Sequence, residues 1–104
     1  MDFGEFLSMG QLVFSSDDRL FDGKCVRFVG MDGHDEVLCG VTIFALKHHD
    51  PDLPLEGLLP SELFLQAYDE MFIKIHDIAR HKYADGRVES EGPVKIMVHD
   101  EDWD

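Results

Sequence analysis

The sequence predicts an α+β domain: an antiparallel sheet of three or four strands, covered on one face by one long amphipathic helix, with a short helix beside it. Three observations carry this reading. Two β-type runs, residues 24–29 and 36–41, flank an Asp32-Gly33 pair of the kind that centres tight hairpins. A single apolar stripe at three-four spacing extends from Phe64 to Ala79. Beyond it, Val94, Ile96 and Val98 alternate with Lys95, Met97 and His99, the period of a half-buried strand. The 104 residues suffice for one small domain over 1–104, with residues 1–10 as an N-terminal arm and 100–104 as an acidic tail.

Taken in order, the arm contributes Phe3, Phe6, Leu7 and Met9, either as one amphipathic turn or as a docked segment. Leu12, Val13 and Phe14 form a short strand, closed by the polar cluster Ser15, Ser16, Asp17 and Asp18. Phe21, Asp22 and Gly23 lead into the hairpin. A two-residue turn at Asp32-Gly33 sets Met31 against His34, Val26 against Cys39 and Phe28 against Val37, giving one apolar face. Cys25, Arg27 and Val29 then oppose Gly40, Leu38 and Glu36 on the other face, and a slip of one residue would exchange the faces. In this register Cys25 and Cys39 point to opposite faces and form no disulfide. A three-residue loop would bring them opposite one another, so their relation rests on the turn.

Thr42 can cap a short helix through Lys47 or His48, continuation of the strand being the alternative. Residues 50–60 hold three prolines and cannot be regular structure, yet they carry Leu53, Leu55, Leu58 and Leu59. A connection this apolar reads as a lid over the core, or as an exposed contact loop. Ser61 caps the long helix, which extends to Tyr83. Its buried stripe is Phe64, Leu65, Tyr68, Met71, Phe72, Ile75, Ile78 and Ala79. The polar face holds Gln66, Asp69, Glu70, Lys74, Asp77 and Arg80, with Ile73 alone among them; a single exposed apolar residue ordinarily carries no meaning. Arg80, His81 and Lys82 complement the negative end of the helix dipole, and Gly86 suits the left-handed stop.

Composition narrows the function classes. Hydrophobic residues make up 44% and charged residues 30%, a globular balance. No apolar run is long enough to span a membrane, and Met1-Asp2-Phe3-Gly4-Glu5 is not a secretory leader, so cytoplasm is the expected location. The net charge is −13, from 9 basic and 22 acidic residues, which disfavours direct nucleic-acid binding. Asp100, Glu101, Asp102 and Asp104 flank the single tryptophan, Trp103. They read as a solvated tail, or as a short acidic-aromatic peptide that docks on a basic partner. Cys25 and Cys39 are the only cysteines, and no C-x-x-C pair signals zinc or redox chemistry.

Several residues resemble a family of short bacterial proteins catalogued only as a domain of unknown function. The resemblance runs through Phe21-Asp22, Val26-Arg27-Phe28, Cys39-Gly40-Val41-Thr42 and Ala45-Leu46. It is strongest at Ile75, Ile78, Ala79, Lys82, Tyr83, Gly86, Arg87 and Glu89, followed by Gly92, Val94 and Ile96. It spans roughly residues 14 to 100 and departs at Phe44, where such relatives often carry Glu. It implies a small α+β domain of bacterial cytoplasmic origin and no assigned chemistry, so no catalytic residue is carried over.

The residues themselves give no catalytic constellation, no cofactor and no metal site. Lys82, Tyr83, Arg87 and Glu89 surround the helix stop and are the candidate binding corner for a small anion; the structural alternative is a snorkelling lysine, a rim tyrosine and an Arg87–Glu89 pair. His34, His48, His49, His76, His81 and His99 lack H-x-x-x-H spacing and read as surface residues. A tertiary site uniting His48 or His49 with a distant acid stays open. Asp77 with His81 could form a general-base pair, but no nucleophile can be placed beside it. The expected role is therefore a non-catalytic one through protein contact, with an unknown partner or by weak self-association through residues 53–59 and the arm.

Overall fold

The structure, a computed structural model, describes residues 12–14, 19–50 and 60–103. The N-terminal arm, the Ser15 to Asp18 turn and the leucine-rich loop over 51–59 lie outside the described residues.

The sheet is organised around the hairpin. Strand β3 (Cys25–Asp32) pairs antiparallel with β4 (Asp35–Thr42), and β1 (Val13–Phe14) and β2 (Leu20–Phe21) both pair antiparallel with the other edge of β3. The hairpin turn is Gly33-His34, one step beyond the expected Asp32-Gly33 centre. Val26 consequently pairs with Val41 and Phe28 with Cys39. Gly33 has φ +63° while no described non-glycine residue has positive φ. A turn with positive φ only at its first central position needs one glycine; an Asp32-Gly33 centre of type I′ would force Asp32 into that region as well. Because partners shift by two residues, the faces are unchanged. Cys39 stays on the core face, Cys25 on the opposite one, and both are free thiols.

Thr42 ends β4 and caps helix α1 (Ile43–His49), its Oγ1 accepting the Ala45 N–H at 3.0 Å. Helix α2 (Pro60–Ala84) begins one residue earlier than expected. Proline at a helix start gives up only an N–H that has no intrahelical partner, so Pro60 leads and Ser61 lies inside the first turn. The helix ends where glycine was expected to end it. Gly86 adopts φ +72°, Gly86 N–H bonds to Tyr83 O at 3.1 Å, and Arg87 N–H reaches Lys82 O at 2.9 Å.

The expected three- or four-stranded antiparallel sheet is corrected on both counts: among the described residues it has five strands and is mixed. The last strand, β5 (Ile96–Val98), runs parallel to β4, with Cys39 against Ile96 and Val41 against Val98. Helix length decides this direction. The 25 residues of α2 cover roughly 37 Å, enough to return the chain past the whole of β4. At that end the Tyr83 hydroxyl donates to Asp32 Oδ2 at 2.5 Å, tying the helix terminus to the hairpin. The chain then enters β5 in the same direction as β4.

One face of the sheet and one stripe of α2 form the core. Val26, Phe28, Cys39, Val41, Ile96 and Val98 pack against Phe64, Ala67, Tyr68, Ile75, Ile78 and Ala79, with Ala45 and Leu46 closing one side. The expected stripe holds except at Phe72, which is 39% exposed. His76 takes a buried place instead, stacked on Phe14 at 4.1 Å and with its Nε2 2.5 Å from the Tyr68 hydroxyl. Among the described residues no helix is long and apolar enough to cross a membrane.

Candidate functional site

The acidic C-terminal segment is not a solvated tail. Residues Asp100–Asp102 form a short 3-10 turn, and each of its aspartates at the ends is engaged by the body of the domain. Asp102 Oδ2 accepts from the Lys82 ammonium at 2.7 Å and from the His99 backbone N–H at 2.9 Å. Lys82 also donates to the Met97 carbonyl at 2.8 Å, so its charge is buried but fully matched. Burial raises the Asp102 carboxyl, but the Lys82 and His99 bonds outweigh it and leave it below the ordinary carboxylate range.

At the other end of the turn, Asp100 meets the last turn of α1. His48 Nδ1 lies 2.5 Å and His49 Nε2 lies 2.8 Å from Asp100 Oδ1. The His48 hydrogen bond leads in holding the Asp100 carboxyl below its usual value. Trp103 follows and stacks on the His49 ring, centroids 4.6 Å apart and planes within 8°. Histidines at adjacent helix positions normally diverge. Here the two rings lie 4.6 Å apart at the end of the helix, both turned to Asp100 Oδ1.

Docking of the turn creates a groove of about 540 Å³ between α1, Trp103 and the outer face of α2. Met71, Ile73 and Trp103 supply its apolar surface. Glu70 and Asp77 line it with negative charge, Lys74 and Arg80 with positive charge. Ile73, the apolar residue out of place on the polar face, is 74% exposed and stands in this groove.

The sequence-derived corner has a different geometry from an open cradle. Lys82 and Arg87 both face Asp102, Arg87 at 4.0 Å and also 3.2 Å from Asp85. Tyr83 turns to Asp32, whose hydrogen bond leads in raising the phenol to about 12, and Glu89 sits 3.6 Å from His99. A smaller pocket of about 300 Å³, lined by Lys74, His81, Arg87 and Asp102 among others, adjoins the corner. His81 Nδ1 lies 2.8 Å from the Asp77 backbone carbonyl, with the Asp77 carboxylate at 3.7 Å.

The sequence left open a tertiary site uniting His48 or His49 with a distant acid, but it did not point to Asp100 as that acid or to Trp103 beside it. The signal present was a lone tryptophan inside a run of acids, and an isoleucine off the helix stripe. What joins them is the return of the chain through β5, which local spacing cannot show.

No curated protein and no solved structure matches this chain. The family model described as protein of unknown function (DUF1488) matches residues 14–96, and the chain belongs to that family.

Proposed function

We propose that this domain is a non-catalytic module that acts by protein contact, holding a basic segment of a partner protein in the groove between α2 and Trp103. The observation that supports it is Ile73: 74% exposed on a folded helix, beside Trp103 and half-buried Met71 in one groove. An apolar side chain with an aromatic neighbour is the common anchor of a contact surface, and charged residues at its rim set orientation. The basic character of the partner follows from charge. At −13 a second copy is repelled, whereas a cationic segment is attracted to the protein as a whole.

Trp103 is the single tryptophan and lines the groove, so its emission reports occupancy. A panel of basic peptides carrying one leucine or phenylalanine should shift Trp103 emission saturably and lose at least tenfold in affinity against Ile73→Lys. That substitution keeps the helix supported, since Asp69 and Asp77 lie four residues either side. Binding that leaves the emission unmoved, or that ignores Ile73→Lys, contradicts the reading.

A second reading, a small anionic ligand at Lys82, Tyr83, Arg87 and Glu89, has a pocket at Arg87 alone, shared with the Asp77, Asp85 and Asp102 carboxylates. It requires the ligand to take the place of the Asp102 carboxylate. Stabilisation by phosphate in a thermal-shift assay, abolished by Arg87→Gln, would favour it.

A further inference from the structure

We propose that His48, His49 and Asp100 form a binding site for a divalent transition-metal ion, with Zn²⁺ the type species, and that the ion fastens the C-terminal turn to α1. The inference does not rest on the protein-contact reading, although His49 also lines the groove.

The geometry carries it. One ligand atom from each of the three residues lies within 4.8 Å of the other two. The donors are two imidazole nitrogens and one carboxylate oxygen, the mixed set that zinc and neighbouring divalent metals take when a fourth position is left to water or to a substrate. His48 is exposed, while His49 and Asp100 are half-buried, so an ion has a route in from solvent. Bond lengths near 2.0–2.1 Å and tetrahedral angles place ligand atoms about 3.3 Å apart. The nitrogens stand 2.5 and 2.8 Å from the oxygen, so the carboxylate must withdraw by less than about 1 Å to admit an ion.

His49 Nε2 is buried and already faces Asp100 Oδ1 at 2.8 Å, with His48 Nδ1 on the same oxygen. A metal ion entering between them would take the Nε2 lone pair as a ligand in place of this contact. The ring is also held in place by Trp103, which stacks on it from one side. Adjacent histidines supply no recognisable spacing in the sequence, and the acid comes from beyond β5. Only the fold brings the three together.

The test uses untagged protein freed of metal with a chelator. Titration with Co²⁺ should produce visible d–d absorption that saturates at one equivalent, and Zn²⁺ should displace it. Zn²⁺ binding followed by calorimetry should weaken at least tenfold in His48→Gln and in Asp100→Ala. His34→Gln, a change at the hairpin turn, should bind as the parent does. His48 is exposed, so His48→Gln should still unfold cooperatively without metal, with only the small loss expected of its bond to Asp100, and it keeps the comparison available if Asp100→Ala fails to fold. Zn²⁺ should also alter Trp103 emission through the stacked His49 ring, and not in His48→Gln. Absence of saturable Co²⁺ absorption overturns the proposal. So does binding that is equally tight in His48→Gln.

Discussion

Lys82, at the end of the long helix, and Asp102, in the last turn of the chain, form a buried ion pair at 2.7 Å with side chains only 7% and 11% exposed. It fixes the position of Trp103, one residue on, and thereby the wall of the groove. Removing one partner of a buried pair strands the other without solvation. Asp102→Ala leaves the ammonium with the Met97 carbonyl alone and should cost about 3 kcal/mol. Lys82→Met keeps the aliphatic volume and leaves Asp102 its His99 N–H and nearby Arg87, so it should cost about 1 kcal/mol. Urea unfolding of both variants checks the asymmetry; equal losses would show that the pair is not desolvated.

His76 makes stability fall with acid before the carboxylates contribute. Burial, with Arg80 adding repulsion, lowers its pKa from 6.5 to about 4. The unfolded chain thus binds a proton between these values that the folded chain does not, and stability rises with pH across that window. The loss on going from pH 7 to pH 4 should approach about 3 kcal/mol. Asp102, whose folded pKa is depressed, contributes fully above the ordinary carboxylate value and loses that contribution only at lower pH. Denaturant unfolding from pH 7 to pH 4 should show the slope, and His76→Phe should flatten it above pH 4.

Two phenylalanines separate the core from its margin. Phe28 is fully buried between the sheet and α2, and Phe28→Ala should cost about 3–5 kcal/mol. Phe72 belongs to the same apolar spacing but is 39% exposed, and Phe72→Ala should cost less than half as much. Comparable losses at the two positions would mean that Phe72 is covered in solution.

Both thiols should be inert in the native protein. Burial leads in pushing Cys25 up to about 11, with Asp22 beside it adding to the shift, and burial pushes Cys39 up to about 12. The thiolate is the reactive species. Labelling by a disulfide reagent at pH 8 should be slow in buffer and complete within minutes in urea. Rapid native labelling of either cysteine would contradict their burial.

The fold was legible in the sequence wherever periodicity alone decides it. Alternation gave the hairpin strands and their faces, three-four spacing gave α2, and Gly86 marked its stop. The turn centre shifted because Asp32-Gly33 and Gly33-His34 both fit between the strands, and only backbone sign preferences separate them. The direction of β5 was hidden for a different reason: it depends on where a 25-residue helix delivers the chain, a length effect with no local motif. The candidate site was the least legible part. Asp100 and Asp102 look like a solvated run until the fold supplies His48, His49 and Lys82 as partners.

The most direct test of the contact function is comparative capture from lysate of the native host, using the parent domain, Ile73→Lys and Leu20→Asp as baits. Leu20 is an exposed apolar residue on β2, outside the groove. A partner with a basic segment should be enriched by the parent and by Leu20→Asp and reduced at least tenfold with Ile73→Lys. Equal recovery with Ile73→Lys, or loss with Leu20→Asp alone, would contradict that function.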